Sequence, residues 1–184
     1  VKAAPASDWV EIHAGDLLVM DLAGAKRVVI QLAPQFAPVH VANIRAMARS
    51  GYWAKATIYR VVDNWVTQWG LGDGPFPTPP GVVERPPEEY QRGAAGLTLM
   101  PMGSADPYSA MAAYADGWPV AMQVGGTVNS TYCYGAVGVA RDAAPDTGNG
   151  SELFAVIGAT ARRLDRNYAL VGRVIDGMEN LSAL

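Results

Sequence analysis

The sequence predicts a mainly β protein, a closed barrel or a sandwich, with few helices. Glycine (20) and proline (13) together run above average in this chain of 184 residues, which favours turns and short strands over a helix bundle. Apolar runs of strand length recur, punctuated by Gly, Pro, Asn and Asp. Helical spacing is confined to one segment after Pro34 and one at the C-terminus.

Taken in order, Leu17–Leu22 and Val28–Ala33 read as two strands joined by a turn at Ala23-Gly24-Ala25. Pro34 and Pro38 bracket a helix start. Ala37, Val41, Ile44 and Ala48 recur at helical spacing, Asn43, Arg45 and Arg49 take the wet side, and Gly51 suits the C-terminus. Strands follow at Thr57–Val62 and Asn64–Trp69. Leu71–Pro87 is broken by Gly and Pro and reads as loop. Further strands are expected at Gly96–Met100, Pro119–Val124, Ala136–Ala140, Glu152–Ile157 and Ala169–Ile175, then a terminal helix from Asp176 or Gly177 to Leu184.

A chain of this length, half hydrophobic, buries a real core as one domain, with residues 1–15 as an extension. A net charge of −3 without a basic stripe argues against nucleic-acid binding. No apolar run approaches the roughly 20 residues of a membrane span. A single cysteine, Cys133, excludes an intrachain disulfide and a cysteine metal cluster. His13 and His40 are expected on the surface. Neither a metal nor a cofactor is expected, and the protein is expected to be a monomer.

The segment Thr57-Ile-Tyr-Arg-Val-Val-Asp-Asn-Trp-Val-Thr-Gln-Trp-Gly70 places an arginine and a glutamine within two apolar strands. Strict alternation sets Ile58, Arg60 and Val62 on one face, with Tyr59 and Val61 on the other. An arginine in such a strand is paired, exposed or kept for chemistry, because burying it alone is costly. Two rival motifs are weak. Gly70-Leu-Gly-Asp-Gly74 lacks the lysine of a phosphate loop. Asp142, Asp146, Asn149 and Glu152 do not have the spacing of a Ca²⁺-binding loop.

The 57–70 segment resembles the signature of the cyclophilin-type peptidyl-prolyl isomerases, roughly Phe-His-Arg-Val-Ile-x-x-Phe-Met-x-Gln-Gly-Gly-Asp. Three further blocks follow in family order. Val28 to Asn43 is similar to the family's strand and Ala-Pro-x-x-Val-x-Asn helix start. Gly135 to Arg141 leads to Asn149-Gly-Ser-Glu-Leu-Phe154, where the family has Asn-Gly-Ser-Gln-Phe-Phe. Leu164-Asp165 and Tyr168 to Met178 match the family's Leu-Asp and Val-Phe-Gly-x-Val-x-x-Gly-Met. The stretch 71–134 does not match, and it is roughly thirty residues longer than in a compact family member, well beyond an ordinary connection. Its Met100, Met102, Tyr108, Met111, Tyr114 and Trp118 either pack it onto the barrel or form an extra rim beside the substrate groove.

The resemblance implies an eight-stranded antiparallel closed barrel capped by two helices. It implies an enzyme that interconverts cis and trans X–Pro bonds in unfolded or exposed protein segments, assisting folding. A proline-peptide binding or chaperone module with little turnover is the alternative. Arg60 would stabilise the twisted amide, braced by Gln68. Trp65, Val66, Phe154, Leu164 and Tyr168 would receive the proline ring, and Ala140 and Arg141 would meet extended substrate. Two departures bear on activity. Glu152 replaces a glutamine and would either pair with Arg60, in which case Glu152→Gln would raise the rate, or repel a substrate carbonyl. Trp69 replaces a glycine at a tight strand end. Arg163 stands where cyclosporin-sensitive members have tryptophan, which implies weak cyclosporin binding. The small-residue opening Lys2 to Ser7 and the look of the blocks suggest a bacterial exported protein, periplasmic or secreted, with the cytoplasm as the alternative.

Overall fold

The computed structural model describes residues 4–184 except 73, 75 and 160. Asp73 of the glycine-rich 70–74 segment and Lys2 of the opening thus lie outside the described residues. One antiparallel sheet contains β1 (Leu17–Leu22), β2 (Lys26–Leu32), β3 (Thr57–Val62), β4 (Val66–Gly70), β10 (Ala136–Val139), β11 (Leu153–Val156) and β12 (Leu170–Asp176), in the order β1-β2-β12-β10-β11-β4-β3. The stretch 71–134 builds a second antiparallel sheet from β5 (Arg92–Gly93), β6 (Leu99–Pro101), β7 (Met111–Ala115), β8 (Trp118–Met122) and β9 (Thr127–Ser130), in the order β5-β9-β8-β7-β6. The helices are α1 (Pro38–Ser50) and α2 (Glu179–Ser182).

The mainly β class, the antiparallel pairing and the two helices match expectation. The detail differs, because the main ladder has seven strands and ends at β1 and β3 among the described residues. The second sheet also contains strands at 92–93, 111–115 and 127–130 that the sequence does not predict. Those runs are short or alanine-rich, and they gain strand geometry only by pairing.

Local chemistry explains the main turns. Ala23, Gly24 and Ala25 link β1 to β2, and Gly24 and Ala25 both take positive φ (76° and 58°), which lets the chain reverse within three residues. Pro38 opens α1, and Gly51 closes it in the left-handed conformation (φ 72°). The helix's own N-cap, Ala37, makes no side-chain hydrogen bond. Glu89, from the insertion, accepts instead from Val39 N–H (2.9 Å) and His40 N–H (3.0 Å).

Three expectations about α1 are corrected. His40 is fully buried, its Nδ1 2.6 Å from Glu89 Oε2. Asn43 is buried rather than wet, because its amide donates to the Val83 and Asn149 carbonyls and accepts from Val83 N–H. Ala48, conversely, is exposed, and Met47 takes its place in the core.

Two apolar cores share the main sheet. Inside its curve, Ile30, Leu32, Val137, Val139, Leu153 and Ala155 pack against Val41 and Ile44 of α1 and Leu181 of α2. On its outer face, Val66, Ala136, Phe154, Val156 and Leu170 pack against Ala113, Trp118, Val120 and Val128 of the second sheet. Alternation therefore sends Leu153 and Ala155 one way and Phe154 and Val156 the other. This two-sided burial is why β11 reads as an unbroken apolar run. Of the insertion's methionines and aromatics, Trp118 is buried, Met111 is partly buried, and Met100, Met102, Tyr108 and Tyr114 are exposed.

Candidate active site

The β3–β4 hairpin carries the arginine and the glutamine, and its register is irregular. Ile58 pairs with Trp69 and Arg60 with Gln68, leaving Tyr59 in a bulge. The expected alternation is corrected accordingly: Ile58 faces the inner core, whereas Val62, four residues on, faces the outer one. The bulge brings Tyr59 and Arg60, adjacent in sequence, to the same hydrogen-bonded cluster.

That cluster has one direction of donation. Arg60 Nη1–H donates to Gln68 Oε1 (3.2 Å), Gln68 Nε2–H donates to the Tyr59 hydroxyl, and the Tyr59 O–H donates to Glu152 Oε2 (2.8 Å). The other carboxylate oxygen accepts from Leu71 N–H (3.0 Å) and Gly72 N–H (3.2 Å). Burial, and then the carboxylate it bonds, pushes the Tyr59 phenol up to about 12. Glu152 therefore does not pair with Arg60, contrary to the first expectation for it. Two main-chain donors and a phenol already satisfy it, and it lies over Gly70, where a Cβ would overlap its carboxylate.

Arg60 is exposed, with its Cζ 5.6 Å from the Trp65 ring centroid, and Arg163 stacks on the same indole at 4.1 Å. Below them Val66, Phe154 and Leu164 are buried, while Trp65 and Tyr168 stand half-buried at the rim. Phe154 meets Tyr168 edge-on, their centroids 5.8 Å apart. The apolar residues expected to receive a ring thus form one packed floor beside the guanidinium.

Ala140 and Arg141 line an adjoining groove with Tyr59, Gln68 and Glu152. Ala140 N–H donates to the Glu152 carbonyl (2.9 Å). Arg141 lies 4.7 Å over Tyr168 and is held by the Asn167 carbonyl (3.1 Å). Trp69 does not intrude, since it is buried in the inner core. Asp146 accepts from Asp142 N–H (2.8 Å) and Gly148 N–H (3.2 Å), so those acids shape a turn. A separate apolar cavity between β1, β3 and the end of α1, lined by Leu18, Met20, Trp53, Ile58 and Trp69, is remote from this chemistry.

Sequence reasoning missed Tyr59, Tyr132 and Asp165. Tyr59 had a signal, its position immediately before Arg60. Tyr132 lies in the unmatched stretch and had none. Its ring, 1% exposed, stacks on Phe154 with centroids 5.8 Å apart and planes at 22°. Asp165 accepts from Tyr132 N–H (2.9 Å) and from Arg162 Nε–H (2.6 Å). Arg162 in turn forks onto both oxygens of Asp106 (2.8 and 3.2 Å) in the insertion.

A model of the cyclophilin type peptidyl-prolyl cis-trans isomerase/CLD family matches residues 17–184. No curated protein matches the chain. Among solved structures, the cyclophilin AquaCyp293 from Hirschia baltica superposes with a TM-score of 0.79 at 24% identity, covering 94% of this chain and 68% of that one. A Cryptosporidium parvum cyclophilin type peptidyl-prolyl cis-trans isomerase, solved in the presence of the dipeptide Ala-Pro, gives a TM-score of 0.49 at 18% identity over 85% of this chain and 78% of that one. With the family's sequence model spanning every strand from β1 to β12, and a guanidinium, a bracing amide and an apolar floor gathered on one face, this chain belongs to the cyclophilin-type peptidyl-prolyl cis-trans isomerases.

Proposed function

We propose that this face isomerises X–Pro bonds in unfolded or exposed protein segments, with Arg60 as the residue that stabilises the twisted amide. Rotation about the bond must pass a barrier of about 18–20 kcal/mol that arises from amide resonance. As the bond twists, the prolyl nitrogen regains a lone pair. A fixed cationic donor directed at that nitrogen favours the transition state over both planar isomers. Arginine suits the task because it stays charged and presents several donors in a rigid fork.

The observation that carries the reading is the directed chain Arg60–Gln68–Tyr59–Glu152, which fixes an exposed guanidinium beside Trp65 and the Phe154 floor. In this reading the proline ring rests on Val66, Phe154 and Leu164, with Trp65 and Tyr168 at its edges. The extended substrate backbone runs along Ala140 and Arg141. The step moves no covalent bond and no proton.

A protease-coupled or NMR exchange assay on an Ala-Pro peptide tests this. Arg60→Ala should lower kcat/KM by at least about a hundredfold, some 2.7 kcal/mol of barrier, with peptide binding largely kept. Turnover that survives the substitution would reject the role of Arg60. Peptide binding without turnover in the intact protein would favour the binding-module alternative. We further propose an exported protein, on the likeness of its sequence blocks to bacterial exported members. Recovery from the cytoplasmic fraction of the source cells would overturn that assignment.

A further inference from the structure

The insertion packs beneath the candidate site, and one of its rings lies directly against Phe154. Tyr132 lies two residues beyond β9, and its ring lies behind Phe154 on the outer face of the main sheet, in the same buried cluster as Val66 and Leu164. It fits there because Gly138, which pairs with Phe154 across β10 and β11, has no side chain. A Cβ at 138 would overlap the Tyr132 hydroxyl oxygen and lie 2.5 Å from Phe154 Cζ.

The Tyr132 hydroxyl is buried without a hydrogen-bond partner among the described residues. Leaving a buried hydroxyl unpaired is costly, so its retention at this spot calls for a compensating fit of the ring. The main chain at Tyr132 is also fixed from the other side of the pocket. Its N–H donates to Asp165, next to Leu164, and Asp165 and Asp106 share Arg162. The insertion is thus pinned to the loop bearing Arg163 and Leu164 by one ion-pair cluster, and to Phe154 by one ring.

We propose that Tyr132 is a positioning and specificity residue: it backs Phe154 and sets how deep the floor lies, so that the site accepts a five-membered proline ring and discriminates against a larger one. This deepens the isomerase reading and rests on it. Phe154 has the Tyr132 ring stacked on it and the half-buried Tyr168 edge-on beside it, so a smaller side chain at 132 opens room for it to recede. An added methylene in an apolar pocket typically changes selectivity by about ten- to two-hundredfold, a range wide enough to measure.

The test compares an Ala-Pro peptide with its homologue carrying the six-membered pipecolic acid ring. In Tyr132→Leu, kcat/KM on the proline peptide should fall through a raised KM, and the preference for proline over pipecolic acid should fall about tenfold. Tyr132→Phe, which keeps the stacked ring and removes only the unpaired hydroxyl, should retain the wild-type preference. Gly138→Ala should push Phe154 forward and lower turnover on both rings, with partial recovery in the Gly138→Ala/Tyr132→Phe double variant. An unchanged ring preference in folded Tyr132→Leu would overturn the proposal. If Tyr132→Leu does not fold, wild-type activity and preference in Gly138→Ala would overturn it instead. Should the intact protein bind without turnover, the isomerase reading fails separately. The ratio of the two peptides' affinities, measured by NMR titration, then replaces the kinetic preference, and a ratio unchanged in Tyr132→Leu overturns the role of Tyr132.

Discussion

The Tyr59 hydroxyl donates to Glu152 at 2.8 Å, so Glu152 acts on Arg60 only through two intervening side chains, Tyr59 and Gln68. Each link in that series pairs a donor with an acceptor, and the carboxylate end sets the direction of the whole. A neutral amide at 152 would offer an N–H where the phenol needs an acceptor. Gln68 would then be free to flip and present its own N–H groups to the guanidinium.

Glu152→Gln should therefore lower kcat, the reverse of what simple pairing with Arg60 would give. A loss of about threefold to tenfold corresponds to one neutral hydrogen bond of about 1 kcal/mol. Tyr59→Phe should lose a similar amount, and the double variant little more, since both break one series. Additive losses in steady-state kinetics would show that the two side chains act independently.

Gly70→Ala should displace the Glu152 carboxylate, because the new Cβ would occupy the space of Oε2. The obstructing atoms are the end of a flexible side chain, so the fold survives and the defect appears in activity. We expect a melting temperature within a few degrees of wild type and a loss of rate comparable to Glu152→Gln. A large fall in melting temperature with unchanged turnover would count against this account.

Asn43→Ala should cost about 2–4 kcal/mol in urea denaturation, because it leaves the Val83 N–H and two carbonyls without their buried partner. The same change unfastens the loop at Val83 from the turn at Asn149. A cost below about 0.5 kcal/mol would mean that water replaces the amide freely.

Acid should loosen the insertion. The Arg162 guanidinium holds the Asp106 carboxyl down at about 2, below its ordinary range near 3.9. A depressed carboxyl stabilises the fold above the unfolded value, and that contribution is lost as pH falls towards 2. Asp165 opposes it in part, since burial raises its pKa and its contribution declines as pH rises. Wild type should thus exceed Asp106→Asn in stability at pH 6, with the gap narrowing by pH 2.5. A constant gap across that range would contradict the assignment.

Cyclosporin should bind weakly. Arg163 lies over Trp65 at 4.1 Å and offers a hydrated, flexible cation where a flat indole would cover a greasy cyclic peptide. Arg163→Trp should tighten binding by one or two orders of magnitude in a calorimetric titration, at about 1 kcal/mol for each restored contact. Tight binding by wild type would reject the expectation.

The sequence by itself determined the mainly β class and most strands of the main sheet, because period-two apolar runs and their turns are local properties. It also marked Arg60, Gln68, Trp65, Phe154, Leu164 and Tyr168, which the fold gathers on one face. Only tertiary structure decided the rest. The bulge at Tyr59, which reverses the face of every residue before it, depends on register against β4. Asn43 and His40 turned inward because Val83, Asn149 and Glu89, far away in sequence, satisfy their polar atoms. Glu152 turned from Arg60 to the amides of Leu71 and Gly72 because Gly70 left room for it. The second sheet came from runs too short and too small to declare themselves. They become strands, and carry Tyr132 beneath Phe154, only once the outer face of the main sheet offers them apolar area to bury.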